Sequence, residues 1–227
     1  MAAGDHRERF ADVVSRPAEE VPLDLAWALI TAQAHPVVDP DALVGELDDL
    51  AASCRTPTLD GLRHHLFVDQ GFTGNQDDYY DPANSYLDDV LERHLGIPIT
   101  LSVVTMEVGR RIGVPVAGVG LPGHFVLRDK VDPDVFIDAF RGGQLLDRAG
   151  CRDVVRQLHG PSTELDPAWL EPLSPLAILE RMLTNLVRIF QQRRAGADLL
   201  WARDLQVALA GAKGDPTARL RLRAPLN

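Results

Sequence analysis

The stretch "LGIPITLSVVTMEVGRRIGVPVAGVGLPGHFVLR", residues 95–128, decides how this sequence is read. A loop gives way to a helical run over about residues 100–112, which Gly113 is placed to end. Two β-like runs follow, Val114–Leu121 and His124–Arg128, and the Pro122-Gly123 break sets His124 at the start of the second. Enzymes that present a histidine this way place a nucleophile at the start of the preceding helix. Here those positions hold Gly96, Ile97, Pro98, Ile99 and Thr100.

Working outward, "DKVDPD" reads as a hairpin loop before a third β-like run, Val135–Phe140. Asp138 lies fourteen positions after His124. A hairpin centred near Val131 sets the two side chains opposite or diagonal on one face. A carboxylate that fixes an imidazole's tautomer and stabilises its cation is the orienting half of a catalytic triad. The plainer alternative is a buried hydrogen bond that ties two strands together.

The candidate nucleophiles have plainer roles of their own. Cys54 follows an N-terminal helix, and free cysteine most often packs. Cys151 stands near a helix start, where a thiolate is stabilised, although packing is again the default. Thr100 and Ser102 fall in the first turn of the helix before His124, where hydroxyls suit capping. An imidazole within hydrogen-bond reach would activate either one.

Upstream, residues 22–34 carry apolar residues at helical spacing, and Asp39-Pro40 opens a helix holding Leu43, Leu47 and Leu50. A further helix over 58–69 ends at Gly71. The polar loop "GFTGNQDDYYDPANS" then leads to Ser85 and Asp88, whose spacing predicts a capping box on a helix through Tyr86 and Leu87, stopped by Gly96. Downstream, "RGGQLLD" predicts a turn and short strand, with Asp147 capping the helix of Cys151. The chain is helical again after Pro161: Ser174-Pro175 opens a long helix, with "WARDLQVALAG" as its partner. Helices, a small antiparallel sheet and more helices indicate an α+β fold.

The chain's 227 residues are enough to bury a core, with 45% hydrophobic and 25% charged residues. A net charge of -10 argues against nucleic acid or an anionic membrane as partner, and the short basic stretch from Arg219 to Arg223 does not reverse that. Two cysteines in unrelated contexts make no disulfide framework. The charged N-terminus is not a signal peptide, no apolar run approaches a membrane span, and the expectation is a cytoplasmic protein. No cofactor or metal is expected. Asp77, Asp78 and Asp81 lack the glycine and terminal glutamate of a calcium loop, and adjacent His64 and His65 diverge on a helix.

The run from Gly71 to Leu146, which contains "GIPITLSVV", "LPGHFVLR" and "FIDAFRGGQLL", resembles the SirB-type branch of the transglutaminase-like superfamily. The likeness extends over about residues 10–195. It implies a papain-like core, a helix on a small antiparallel sheet, framed by extra helices. Residues 1–70 and 161–227 are then flanking helical segments around a core at 71–160, in one structural unit. Active members use a cysteine at the helix N-terminus with a histidine and an aspartate on successive strands, for acyl transfer or amide hydrolysis through a thioester. His124 and Asp138 match the latter two. The cysteine stands about fifteen residues before the helix-ending glycine, and that count from Gly113 reaches Pro98. Proline offers neither a nucleophile nor an amide hydrogen.

Two functions follow. One is a degenerate enzyme whose cleft binds a peptide, protein or small molecule, with Pro98, Asn84, Tyr79, Tyr80 and Tyr86 along it. The other is an acyl-transfer or hydrolytic enzyme, or a cyclase, with His124 as general base and Ser102, Thr100 or a substrate group as nucleophile. A purely structural adaptor leaves the polar loop from Asn75 to Tyr86 without a purpose.

Overall fold

The structure, a computed structural model, describes residues 3–214; the basic stretch at Arg219–Arg223 lies outside them. In chain order the elements are α1 (Ala3–Val14), α2 (Leu23–Ala34), α3 (Pro40–Ala52), α4 (Leu59–His64), β1 (Thr73–Gly74), α5 (Leu87–Arg93) and β2 (Leu95–Gly96). They continue with α6 (Pro98–Ile112), β3 (Val116–Val119), β4 (Val126–Asp129), β5 (Phe136–Asp138), β6 (Gln144–Leu146), α7 (Arg148–His159), α8 (Pro175–Arg193) and α9 (Gly196–Ala212). The class is α+β. Contacts divide the chain into a helical unit, Met1–Val44, Tyr80–Asp88 and Ser174–Asn227, and a sheet unit, Gly45–Tyr79 and Asp89–Leu173.

In the helical unit α1 packs on α2 and α9, and α8 packs on α9 and α2. Leu176, Leu179, Leu183, Leu186 and Phe190 of α8 are all buried, as their spacing dictates. Ser174 caps α8 by accepting from the amide of Ala177 at 3.3 Å. Phe10 and Trp27 fill the core, and the Trp27 indole N–H donates to the carbonyl of Ser85 at 2.8 Å.

The expected Ser85 capping box does not form. Tyr86 is extended (φ -96°, ψ 135°), so the helix starts at Leu87 and Ser85 lies too far back to cap it. The amide of Leu87 donates instead to the Thr31 hydroxyl of α2 at 2.8 Å. The cap therefore comes from 56 residues away in the chain. Nor does Gly96 stop α5. His94 takes the left-handed conformation (φ 53°) just beyond the last helical residue, and Gly96 joins β2.

In the sheet unit, β3-β4-β5-β6 form an antiparallel sheet in chain order, while β1 and β2 pair in parallel. Strand alternation splits its residues between two clusters. Val116, Leu127 and Ile137 meet Met106 of α6 and Phe67. Val119, Val126 and Phe136 meet Cys151, Val154 and Val155 of α7. The helix expected over 58–69 is split: α4 stops at His64 and a single π turn covers His65–Asp69. Helix α6 begins two residues earlier than expected, at Pro98, whose fixed φ and missing N–H suit a first helical position. The strands are shorter than their β-like runs, so His124 and Phe140 lie just outside β4 and β5.

Candidate functional site

The geometry around His124 is set by two turns. Leu121, Pro122, Gly123 and His124 form a tight turn closed by the His124 amide on the Leu121 carbonyl at 3.2 Å. Across the hairpin, β5 ends at Asp138 and a short 3-10 turn follows, Ala139–Arg141. Leu127 pairs with Ile137 and Arg128 with Phe136, so the hairpin centres one residue beyond Val131. That shift preserves the face and makes His124 and Asp138 diagonal neighbours. His124 Nε2 lies 2.9 Å from Asp138 Oδ2.

Asp138 is completely buried, and several donors answer its charge. Oδ1 accepts the amides of Phe140 at 3.1 Å and Arg141 at 3.3 Å. Oδ2 accepts His124, and the Arg141 Nε stands 3.6 Å from the same oxygen. A buried carboxylate is an acceptor only, so the proton of a neutral His124 sits on Nε2 and the lone pair on Nδ1. The imidazole side chain is 9% exposed against 0% for Asp138, so an oriented, largely covered ring stands on an enclosed anion.

The aromatic neighbour that the sequence reading missed is Phe140. Its ring stands edge-on to His124 (centroids 6.2 Å apart) and edge-on to Tyr79 (5.9 Å). Gly74 of β1 gives it room, since a Cβ there would lie 2.4 Å from the ring. The signal was available as an aromatic two residues beyond Asp138, but only the turn after β5 brings it back towards His124. Of the expected cleft residues, Tyr79 and Pro98 share the sheet unit with the pair, and Tyr79 touches this aromatic group. Tyr80, Asn84 and Tyr86 belong to the helical unit. There Asn84 is fully buried, Tyr86 packs edge-on to His35, and Tyr80 is exposed.

Pro98 is buried at the first position of α6. The Thr100 hydroxyl caps that helix, accepting from the Ile97 amide at 3.0 Å and donating to the Ile97 carbonyl at 3.1 Å. The Ser102 hydroxyl is fully buried and has no hydrogen-bond partner among the described residues, so it does not reach the imidazole. Cys151 is sealed in the α7 cluster, and its thiol is pushed up to about 12, by burial first and then by the charges of Asp147 and Asp138. Cys54 is half-buried and directs its thiol at the Thr56 carbonyl, 3.7 Å away. Asp77, Asp78 and Asp81 belong to no group of three ligands close enough to share a cation among the described residues. An open cavity of about 220 Å³ lies at the other end of β4, where Ala117, Arg128, Lys130 and Pro172 are among its walls.

A family model described as the transglutaminase-like superfamily matches residues 32–184. The chain belongs to the transglutaminase-like superfamily. A UPF0162 protein of Xylella fastidiosa (strain 9a5c) is 44% identical over 133 residues, 57% of this chain and 47% of the relative. A UPF0162 protein of Pseudomonas aeruginosa is 33% identical over 199 residues, 83% of this chain and 72% of the relative. These are the SirB-type relatives that the sequence resemblance implied. F-box only protein 21 of Mus musculus is 32% identical over 153 residues, 63% of this chain and 23% of the relative. The chain spans about half the length of the Xylella relative it matches. No solved structure matches. No helix among the described residues is long and apolar enough to cross a membrane.

Proposed function

We propose that this chain is a transglutaminase-like ligand-binding domain, in which the His124–Asp138 pair helps hold a peptide, protein or small molecule and forms no thioester. The observation that carries this reading is the state of the possible nucleophiles. Pro98 offers none, the Cys151 thiol is sealed and pushed to about 12, Ser102 is buried away from the imidazole, and Thr100 is occupied with its helix cap. Chemistry through a histidine needs a nucleophile within its hydrogen-bond reach. Recognition needs only a side chain held in one orientation, which an imidazole fixed by a buried carboxylate supplies.

A second reading keeps the enzyme. The same fixed tautomer suits a general base acting on a nucleophile that the substrate itself brings. A panel of amide, ester and thioester substrates separates the two. The binding reading expects turnover at the same low level in the wild type and in His124→Ala. Wild-type turnover that falls roughly 10²-fold or more in a folded His124→Ala protein would establish the second reading and end the first.

A further inference from the structure

The geometry points to His159, in the last turn of α7, as the positioning residue that locks His124 onto Asp138. This rests on the proposed reading of His124 as the centre of the site. The His159 Nε2 lies 3.1 Å from the Pro122 carbonyl, the central peptide of the turn that delivers His124. Gly123 completes that peptide at φ +69°, and a Cβ on it would come within 3.2 Å of the His159 Nε2 and 3.5 Å of Leu158. The end of α7 therefore lies directly on the turn.

A proline followed by a glycine at positive φ is the pattern of a type II turn. Type I and type II turns differ mainly in the orientation of their central peptide. The carbonyl that His159 holds belongs to that peptide. With it held, the turn keeps its type II form, and His124 stands at its last position with Nε2 facing Asp138. Both the neutral Nε2–H form and the cation of His159 can donate this bond.

The same helical turn also holds the other half of the pair. The Arg141 guanidinium, 3.6 Å from Asp138 Oδ2, donates to the Gln157 side-chain oxygen at 2.8 Å. Gln157 and His159 thus bracket the pair, one beside the carboxylate and one beside the turn that carries the imidazole. Strand alternation agrees, because Asp138 lies on the Phe136 side of β5, the side packed against α7. Cys151 and Val154, earlier in α7, anchor the helix in that cluster.

Imidazole nitrogen NMR of the whole chain tests this, with the two-bond proton–nitrogen pattern of His124 as readout. The wild type is expected to show a single Nε2–H tautomer. His159→Ala should raise the minor tautomer roughly fivefold or more, as for the loss of one hydrogen bond. His159→Gln, whose amide can still donate to the Pro122 carbonyl, should restore the wild-type pattern. Unchanged His124 signals in His159→Ala overturn the inference, even if the melting temperature falls, because a purely structural role would do only the latter. Failure of His159→Gln to restore the pattern in a folded protein overturns it too. Mixed tautomers in the wild type would instead remove the His124–Asp138 reading beneath it, and the inference with it.

Discussion

Each compact unit contains a hydrogen-bonded histidine–aspartate pair, and the two are built differently. His124 and Asp138 meet across a hairpin, fourteen residues apart, with side chains 9% and 0% exposed. His35 and Asp88 meet at the ends of α2 and α5, 53 residues apart, with side chains 33% and 25% exposed. The first pair uses Nε2 and a carboxylate whose other oxygen is held by two backbone amides. The second uses Nδ1, on a ring that also meets Tyr86 edge-on. The same two residue types therefore do different work. A desolvated carboxylate fixes an imidazole rigidly, whereas a half-exposed one adds a modest, salt-sensitive tie between helix ends.

The largest expected effect breaks the comparison directly. Asp138→Ala leaves two backbone amides and the His124 N–H without their acceptor and should cost about 2–4 kcal/mol in denaturant melts. Asp88→Ala should cost less than about 1 kcal/mol. Equal losses would mean that burial does not separate the pairs.

The next prediction uses pH to probe the enclosure behind Asp138. The Cys151 thiol is raised from 9.0 to about 12 in the folded protein. Above pH 9 the unfolded chain gives up this proton while the folded chain keeps it, so stability is full below that pH and falls as pH rises towards 12. The slope of this contribution approaches about 1.4 kcal/mol per pH unit. Melts of Cys151→Ala beside the wild type should lack it, and a thiol reagent at pH 8 should modify Cys54 and spare Cys151.

In the helical unit, Thr31→Val removes the hydroxyl that accepts the Leu87 amide and should cost about 1–2 kcal/mol. A companion Ser85→Ala should be near neutral, since that hydroxyl has no hydrogen-bond partner among the described residues. The reverse order would restore the Ser85 cap. The smallest effect belongs to Arg9 and Asp41, an exposed pair in which the Arg9 hydrogen bond holds the Asp41 carboxyl below its ordinary range. Its contribution is present above the carboxyl's unfolded value and is lost as pH falls through the lowered one. Arg9→Gln should shift stability at neutral pH by less than about 1 kcal/mol and flatten that acid limb slightly.

The contrast between the pairs also shows why one was legible in sequence and the other was not. The spacing of His124 and Asp138 around a polar hairpin loop fixes their relation once strand periodicity is granted. The hairpin centre lies one residue beyond Val131, which selects the diagonal of the two expected arrangements and keeps the face. His35 and Asp88 have no such spacing. Their meeting depends on how α2 lies beside the start of α5, which also brings Thr31 to the Leu87 amide. The Ser85 capping box failed for the same reason, because a local pattern competed with a cap supplied by another helix.

By itself the sequence determined the α+β class, the superfamily, the hairpin that carries His124 and Asp138, and the proline near the start of α6. All of these depend on local periodicity, turn chemistry or residue identity, which are properties of neighbours in the chain. Only the tertiary structure decided that Phe140 faces His124, that Cys151 is sealed and Ser102 unreachable, and that Tyr79 stays with the site while Asn84 and Tyr86 are buried in the helical unit. It also decided that His159 and Gln157 bracket the pair from the end of α7. Those outcomes follow from packing between segments far apart in the chain, where burial and close approach set each side chain's partners, and no local pattern encodes them.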